Sequence, residues 1–174
     1  MYAEGVLGII ATIGVSLAGF AGIVGALAGE KLRPADPGLW LPFWVMISGG
    51  LSIAFAALFP FLPYSFGARN HALWAVSSAF VTVLIACNLA FFAPHFLRAR
   101  RDGFLTGPLA FDVFLYLISC FLVVSQVLNT LGVGLSRSAG WFLVGLYLML
   151  LISALNFVFL LHVLGYPRRD PPTT

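Results

Sequence analysis

The chain has 174 residues, of which 61% are hydrophobic and only 9% are charged. A soluble domain of this length cannot bury so much apolar surface, so the composition excludes an ordinary globular protein and indicates one that lies in a lipid bilayer. The net charge of +3 does not indicate a nucleic-acid partner, because the basic residues stand at the ends of apolar stretches rather than in one long basic run.

Five apolar stretches are each long enough to cross a bilayer as a helix, which takes about 20 residues. In chain order they cover residues 5–28, 40–61, 72–96, 108–131 and 140–164. The gaps between them are short and contain turn-forming residues, so none can fold as a separate soluble unit. The predicted fold is therefore all-α, a single polytopic bundle of five transmembrane helices over residues 1–166, followed by a disordered tail at residues 167–174.

The first stretch carries small residues at every fourth position. This spacing places them on one helix face, where a second helix can approach closely enough for backbone packing to drive association in lipid. The predicted helix-packing face consists of Gly14, Ala18, Gly22 and Ala26. A partner helix from the same chain and one from a neighbouring subunit are both compatible with the pattern.

The fourth stretch carries polar side chains along one face. Asp112, Tyr116, Ser119, Gln126 and Thr130 follow helical spacing over nearly its whole length. Polar groups in hydrocarbon need partners, so this face is expected to point away from lipid. Either it lines a solute path or it packs against other helices.

A polar layer across the bundle is predicted by counting residues from the helix ends. Ser48, Asn88, Tyr116 and Asn156 each lie about eight residues, or roughly 12 Å, from the same end of their stretches. These side chains could hydrogen-bond one another and hold the helices together, at roughly 0.6 kcal/mol per contact. Alternatively, the layer binds a polar solute or lines a pore.

Asp112 is the one acidic residue placed within a stretch. Near the start of its helix it can complement the helix dipole. It can also serve as a cation or proton site, or pair with Arg98, His95 or His162 at the same membrane face.

The basic residues predict the orientation of the bundle. On alternate sides of five spans, seven of the nine Lys and Arg residues fall on one side, which the positive-inside rule assigns to the cytoplasm. The N-terminus is then outside and the C-terminus cytoplasmic, in the plasma or inner membrane. Part of this bias is a cluster that we expect to contact anionic lipid headgroups, namely Arg98, Arg100 and Arg101.

The sequence offers little support for metal or redox chemistry. His71, His95 and His162 lack the paired spacing of a metal site, and Cys87 and Cys120 lack the spacing of a redox pair. Neither a phosphate-binding glycine loop nor a nucleophile motif is present. We therefore expect no metal and no cofactor, and we do not expect an enzyme.

Two functions fit these patterns. The first is a small channel or transporter for ions or small polar solutes that uses the polar face of the fourth stretch. One short bundle has little room for a wide pathway, so this hypothesis favours a homo-oligomer. The alternative is a non-transporting accessory or assembly subunit of a membrane complex, in which the polar residues only bind helices together.

Overall fold

The computed structural model describes residues 2–28, 37–103, 109–134 and 137–165, and the predicted tail at 167–174 lies outside these ranges. The described part of the chain is helical. Its helices are α1 (Tyr2–Ala28), α2 (Pro37–Leu58), α3 (Phe61–Ser65), α4 (Asn70–Arg101), α5 (Leu109–Leu131) and α6 (Ala139–Gly165).

Five segments are long and apolar enough to cross a membrane. They run over Glu4–Leu27, Trp40–Ser65, His71–Arg101, Phe111–Leu131 and Ala139–Leu161. The predicted all-helical fold with five helices of spanning length is thus confirmed. Their length and composition suggest a membrane-embedded protein.

Two helix ends differ from the bounds read from hydropathy. The second apolar stretch is interrupted after Leu58, and the chain resumes beyond Pro60 as the short helix α3. The third continues past Pro94 to Arg101, where Gly103 has a φ of 77° and its N–H donates to the carbonyl of Arg100. Hydropathy marks where charge begins, whereas α4 continues beyond that point and ends next to the left-handed Gly103.

Successive long helices run antiparallel, so α4 ends where α5 begins. We call this the arginine end, because it carries Arg98, Arg100 and Arg101. The opposite, far end carries Arg69 and Arg137. The packed neighbours are α1 with α2, α2 with α4 and α6, α4 with α5, and α5 with α6.

The larger hydrophobic core lies towards the far end. It contains Leu7, Ile53, Val81, Leu122 and Phe142, which come from all five long helices. A smaller cluster of Ala21, Met46 and Leu160 lies nearer the arginine end. Apolar packing is therefore denser in the far half of the bundle, and space is left in the half that holds the arginines.

Helices α1 and α2 cross at a pair of glycines. A Cβ atom on Gly14 would lie 2.7 Å from the Gly50 carbonyl oxygen, and one on Gly50 would lie 2.7 Å from the Gly14 carbonyl oxygen. Ala18 also contacts Gly50, whereas Gly22 has open space around it and Ala26 is exposed. Gly14 and Ala18, two residues of the predicted packing face, thus meet a helix of the same chain.

Candidate functional site

A cleft of about 600 Å³ lies between α2, α4, α5 and α6 in the half of the bundle that holds the arginines. Volumes of roughly 300–1,000 Å³ are typical of sites for small molecules. Along α4 the cleft extends from Arg100 to Ile85, which corresponds to roughly 22 Å. The polar side chains that line it from the other helices are Ser52 of α2, Asp112, Tyr116 and Ser119 of α5, and Ser153 and Asn156 of α6.

An ion pair stands at the mouth of the cleft. Arg100 is in the last turn of α4 and Asp112 in the first turn of α5, and the antiparallel packing of these helices brings the two together. Nη1 of Arg100 donates to Oδ2 of Asp112, and the two side chains are 32% and 30% exposed. Because both remain partly solvated, breaking the pair does not leave a fully buried charge without a partner.

The partner of Asp112 differs from those considered from sequence. Arg98 is exposed and lies about 200° from Arg100 around the helix, so its side chain leaves from another face. His95 packs against Trp40 and Phe91, with ring centroids 6.3 and 5.4 Å away. The side chain of His162 lies outside the described residues.

The walls between mouth and interior are apolar. Phe92, Phe96 and Leu97 of α4 face the cleft, together with Leu109 and Val113 of α5. Three of these, Leu97, Leu109 and Val113, are exposed, so the cleft is open on the side of α4 and α5. Hydrocarbon fits such walls better than a hydrated ion does.

The inner part of the cleft is polar. We call its five side chains the floor; they are Ser52, Asn88, Ser119, Ser153 and Asn156. Asn88 Nδ2 donates to Ser52 Oγ at 3.2 Å and to the Leu84 carbonyl at 2.9 Å. Asn156 and Ser119 donate to carbonyl oxygens of their own helices, at 2.8 and 2.9 Å. These donors are therefore already bonded within the protein.

Three of the four side chains in the predicted polar layer line this cleft. Asn88 and Asn156 lie in the floor, and Tyr116 lies at the exposed rim. Ser48 does not line the cleft, and its hydroxyl donates to the Val45 carbonyl at 3.2 Å. Ser52, one helical turn later, occupies the corresponding place.

The polar face of α5 divides into two parts. Asp112, Tyr116 and Ser119 line the cleft. Gln126 is 0% exposed, and its Nε2 donates to the Trp141 carbonyl of α6 at 2.9 Å. The hydroxyl of Thr130 donates back to the Gln126 carbonyl at 2.8 Å. The second part thus packs between helices instead of facing an open volume.

Gln126 can lie between α5 and α6 because Gly145 stands opposite. A Cβ atom at Gly145 would overlap the Gln126 amide. The same amide leaves its Oε1 atom buried without a hydrogen-bond partner in the described part of the chain. The close packing of α5 against α6 therefore leaves the amide oxygen of Gln126 without a hydrogen bond from any described residue.

Asn129, which the sequence analysis did not single out, connects three helices. Its Nδ2 donates to Ser78 Oγ at 2.8 Å and to the Ser138 carbonyl at 3.3 Å, and its Oδ1 accepts from the Ser138 N–H at 3.0 Å. We call Ser78, Gln126, Asn129 and Ser138 the amide cluster. Counting depth from the far end would not have paired Ser78 with Asn129, because Ser78 lies six residues inside the stretch 72–96 and Asn129 only two residues inside the stretch 108–131.

The remaining arginines of the predicted basic cluster lie outside the cleft. Arg98 is exposed. The Arg101 side chain is 88% exposed, and its Nε atom lies 3.7 Å from Oδ1 of Asp102.

Comparisons with protein-family models, curated proteins and solved structures find no match for this chain. Its function is therefore inferred from the cleft, the amide cluster and the charges at the arginine end.

Proposed function

We propose that this protein is a small membrane transporter and that its solute enters the cleft from the arginine end. The observation that carries the proposal is the cleft itself, which combines an ion pair at its mouth, apolar walls and a polar floor. A concave, mostly apolar site with a few convergent polar groups is typical of small-molecule binding.

The amide cluster supports a carrier over an open channel. Gln126 and Asn129 are both 0% exposed. Gln126 donates to Trp141 of α6, and Asn129 donates to Ser138 just before α6. A solute path from the cleft to the far end would pass between these residues. Movement of solute across the bundle would need these contacts to open. Because the cleft lies within one chain, the proposed path does not require a second copy.

The proposed orientation places the arginine end in the cytoplasm and the N-terminus outside, in a plasma or inner membrane. The arginine bias supports it, since Arg98, Arg100 and Arg101 share one end. The exposed side chains of Arg98 and Arg101 would then contact anionic lipid headgroups. Cysteines at the exposed positions Asp102 and Ser65 should be labelled from opposite sides of a sealed vesicle.

Accessibility of the floor tests the transport proposal. In a Cys87→Ala/Cys120→Ala background, Ser119→Cys and Ser78→Cys carry the same substitution in the floor and in the amide cluster. A membrane-impermeant thiol reagent applied from the arginine end should modify position 119 at least about tenfold faster than position 78. The contrast arises because only the floor adjoins an open volume.

Equal protection of both cysteines, together with no solute flux in sealed vesicles, would contradict the transport proposal. The polar side chains would then serve helix association alone, and the protein would be an accessory or assembly subunit. Leu117→Cys, exposed on the outer surface of α5, is the control for reagent that reaches cysteines through lipid.

A further inference from the structure

The mouth of the cleft carries one arginine and one aspartate, and the chain around it has a small excess of positive charge. The segment from residue 98 to residue 112 contains three arginines and two aspartates, so it has one net positive charge. Of these arginines only Arg100 lines the cleft. Its guanidinium group has five N–H donors, and the contact with Asp112 involves Nη1. A second carboxylate can therefore approach the same group in a bidentate arrangement.

The walls define the rest of the ligand. Between mouth and floor the cleft is bounded by Phe92, Phe96 and Val113, which offer no charge and no hydrogen bond. From Asp112 to Ser119 the distance along α5 is roughly 10 Å. An apolar chain of about this length would span the distance between them.

Several donors of the floor are already hydrogen-bonded within the protein. Asn88 donates to Ser52 and to its own helix, and Asn156 and Ser119 donate to their own helices. These hydrogen bonds would persist beside a hydrocarbon terminus. The amide oxygens of Asn88 and Asn156 and the Ser153 hydroxyl have no partner among the described residues, so the apolar chain is expected to end short of them, because an unpaired buried polar group is costly.

We propose that the cleft binds a medium-chain organic carboxylate, whose head group competes with Asp112 for Arg100 and whose chain lies along the apolar walls. This inference rests on the proposed transport function and names the class of solute. Asp112 acts as an internal counter-ion that competes with the ligand. The two members of the ion pair must therefore have opposite effects on ligand affinity.

Binding of radiolabelled octanoate to the purified full-length chain in phosphatidylcholine nanodiscs tests this proposal, with empty nanodiscs as the blank. Unlabelled octanoate should displace the label. Octanol and octylammonium, which have the same chain without the negative charge, should not, and acetate, which has the charge without the chain, should not.

The variants give the decisive signs. Arg100→Gln should weaken octanoate binding at least about tenfold, because a charge-assisted hydrogen-bond pair is lost. Asp112→Asn should strengthen it about fivefold, because a competing carboxylate of a partly exposed pair is removed. Arg101→Gln removes the same charge from the same end outside the cleft and should leave binding nearly unchanged.

The double variant Arg100→Gln/Asp112→Asn guards against misfolding. It removes both charges together, so neither remains without a partner, and it should melt close to the unchanged protein while failing to bind octanoate. Binding retained in this variant would overturn the proposal, as would weaker binding in Asp112→Asn.

An anionic membrane lipid is the competing occupant. If phosphatidylglycerol in the nanodisc blocks the cleft and octanoate never binds in phosphatidylcholine, the carboxylate proposal is wrong. The outcome is separable from the transport proposal. Fast modification of Ser119→Cys without octanoate binding would support an accessible cleft and contradict only the proposal that its ligand is a carboxylate.

Discussion

The two halves of this bundle use the same polar residue types in opposite ways. In the far half, Asn129 is buried and bonds to Ser78 of α4 and to Ser138 before α6. In the half that holds the arginines, Asn156 is also buried, but among the described residues its amide donates to its own helix, and it lines the cleft. A polar side chain within a span thus bonds to another helix or lines the cleft, depending on which residues lie opposite it.

Small residues decide which outcome prevails. Gly145 leaves room for the Gln126 amide between α5 and α6, and the helices close around it. Consecutive glycines of α2 show both outcomes side by side. Gly50 meets the backbone of α1, whereas Gly49 faces Ser153 at the edge of the cleft. Whether two helices pack closely therefore depends on the residues that face each other at each level and not on the helix as a whole.

The largest effect is expected where two backbones touch. Gly14→Leu would place a side chain against the Gly50 carbonyl and the Ala54 N–H of α2, and it should reduce the free energy of unfolding by about 3 kcal/mol. Gly22→Leu, on the same helix with open space around it, is the matched control. The free energy of unfolding in mixed detergent micelles measures both, and equal values would mean that the close α1–α2 crossing does not hold the bundle together.

Hydropathy and depth counting predict the fold and the level of the polar residues. The five long helices follow from the length of apolar stretches, and depth counting put Asn88, Tyr116 and Asn156 at one level, where all three line the cleft. The pairing of Arg100 with Asp112 was not predicted, because helical periodicity tells which face a residue occupies but not which residue faces it. The division of the α5 face likewise depends on Gly145, a residue without a side chain.

The comparison between halves is tested directly by one residue type. Asn129→Ala would leave the Ser138 N–H without its acceptor and should lower the free energy of unfolding by about 2 kcal/mol. Asn156→Ala should lower it by only about 0.6 kcal/mol, since its described donor bond stays within α6. Denaturation of both variants in the same lipid–detergent mixture gives the difference. Equal losses would break the distinction between amide cluster and floor.

A smaller difference is expected for the glycines. Gly145→Ala should cost about 1 kcal/mol, because the buried Gln126 amide must move away from the Trp141 carbonyl. In Gly49→Ala the new methyl group would lie 3.0 Å from Ser153 Oγ, and this hydroxyl can turn towards the cleft. Alanine is also the better helix former, so Gly49→Ala should be nearly neutral. Thermal unfolding measured by circular dichroism distinguishes the two variants. A larger loss of stability for Gly49→Ala than for Gly145→Ala would mean that the tighter contact lies at the cleft.

The smallest effect is expected for single hydroxyl groups. Ser78 accepts a hydrogen bond from Asn129 on another helix, whereas Ser119 donates to the Leu115 carbonyl of its own helix. Ser78→Ala should therefore cost roughly 0.6 kcal/mol, the average for a hydrogen bond between helices in a membrane. Ser119→Ala should change stability by much less, because the Leu115 carbonyl that loses the hydroxyl still accepts the helical hydrogen bond from the backbone. Each substitution combined with Asn129→Ala completes the test by a double-mutant cycle in the same denaturation assay. A coupling energy for Ser78 and none for Ser119 is expected, since coupling appears only between residues in contact; coupling at Ser119 would show that the two halves are not independent.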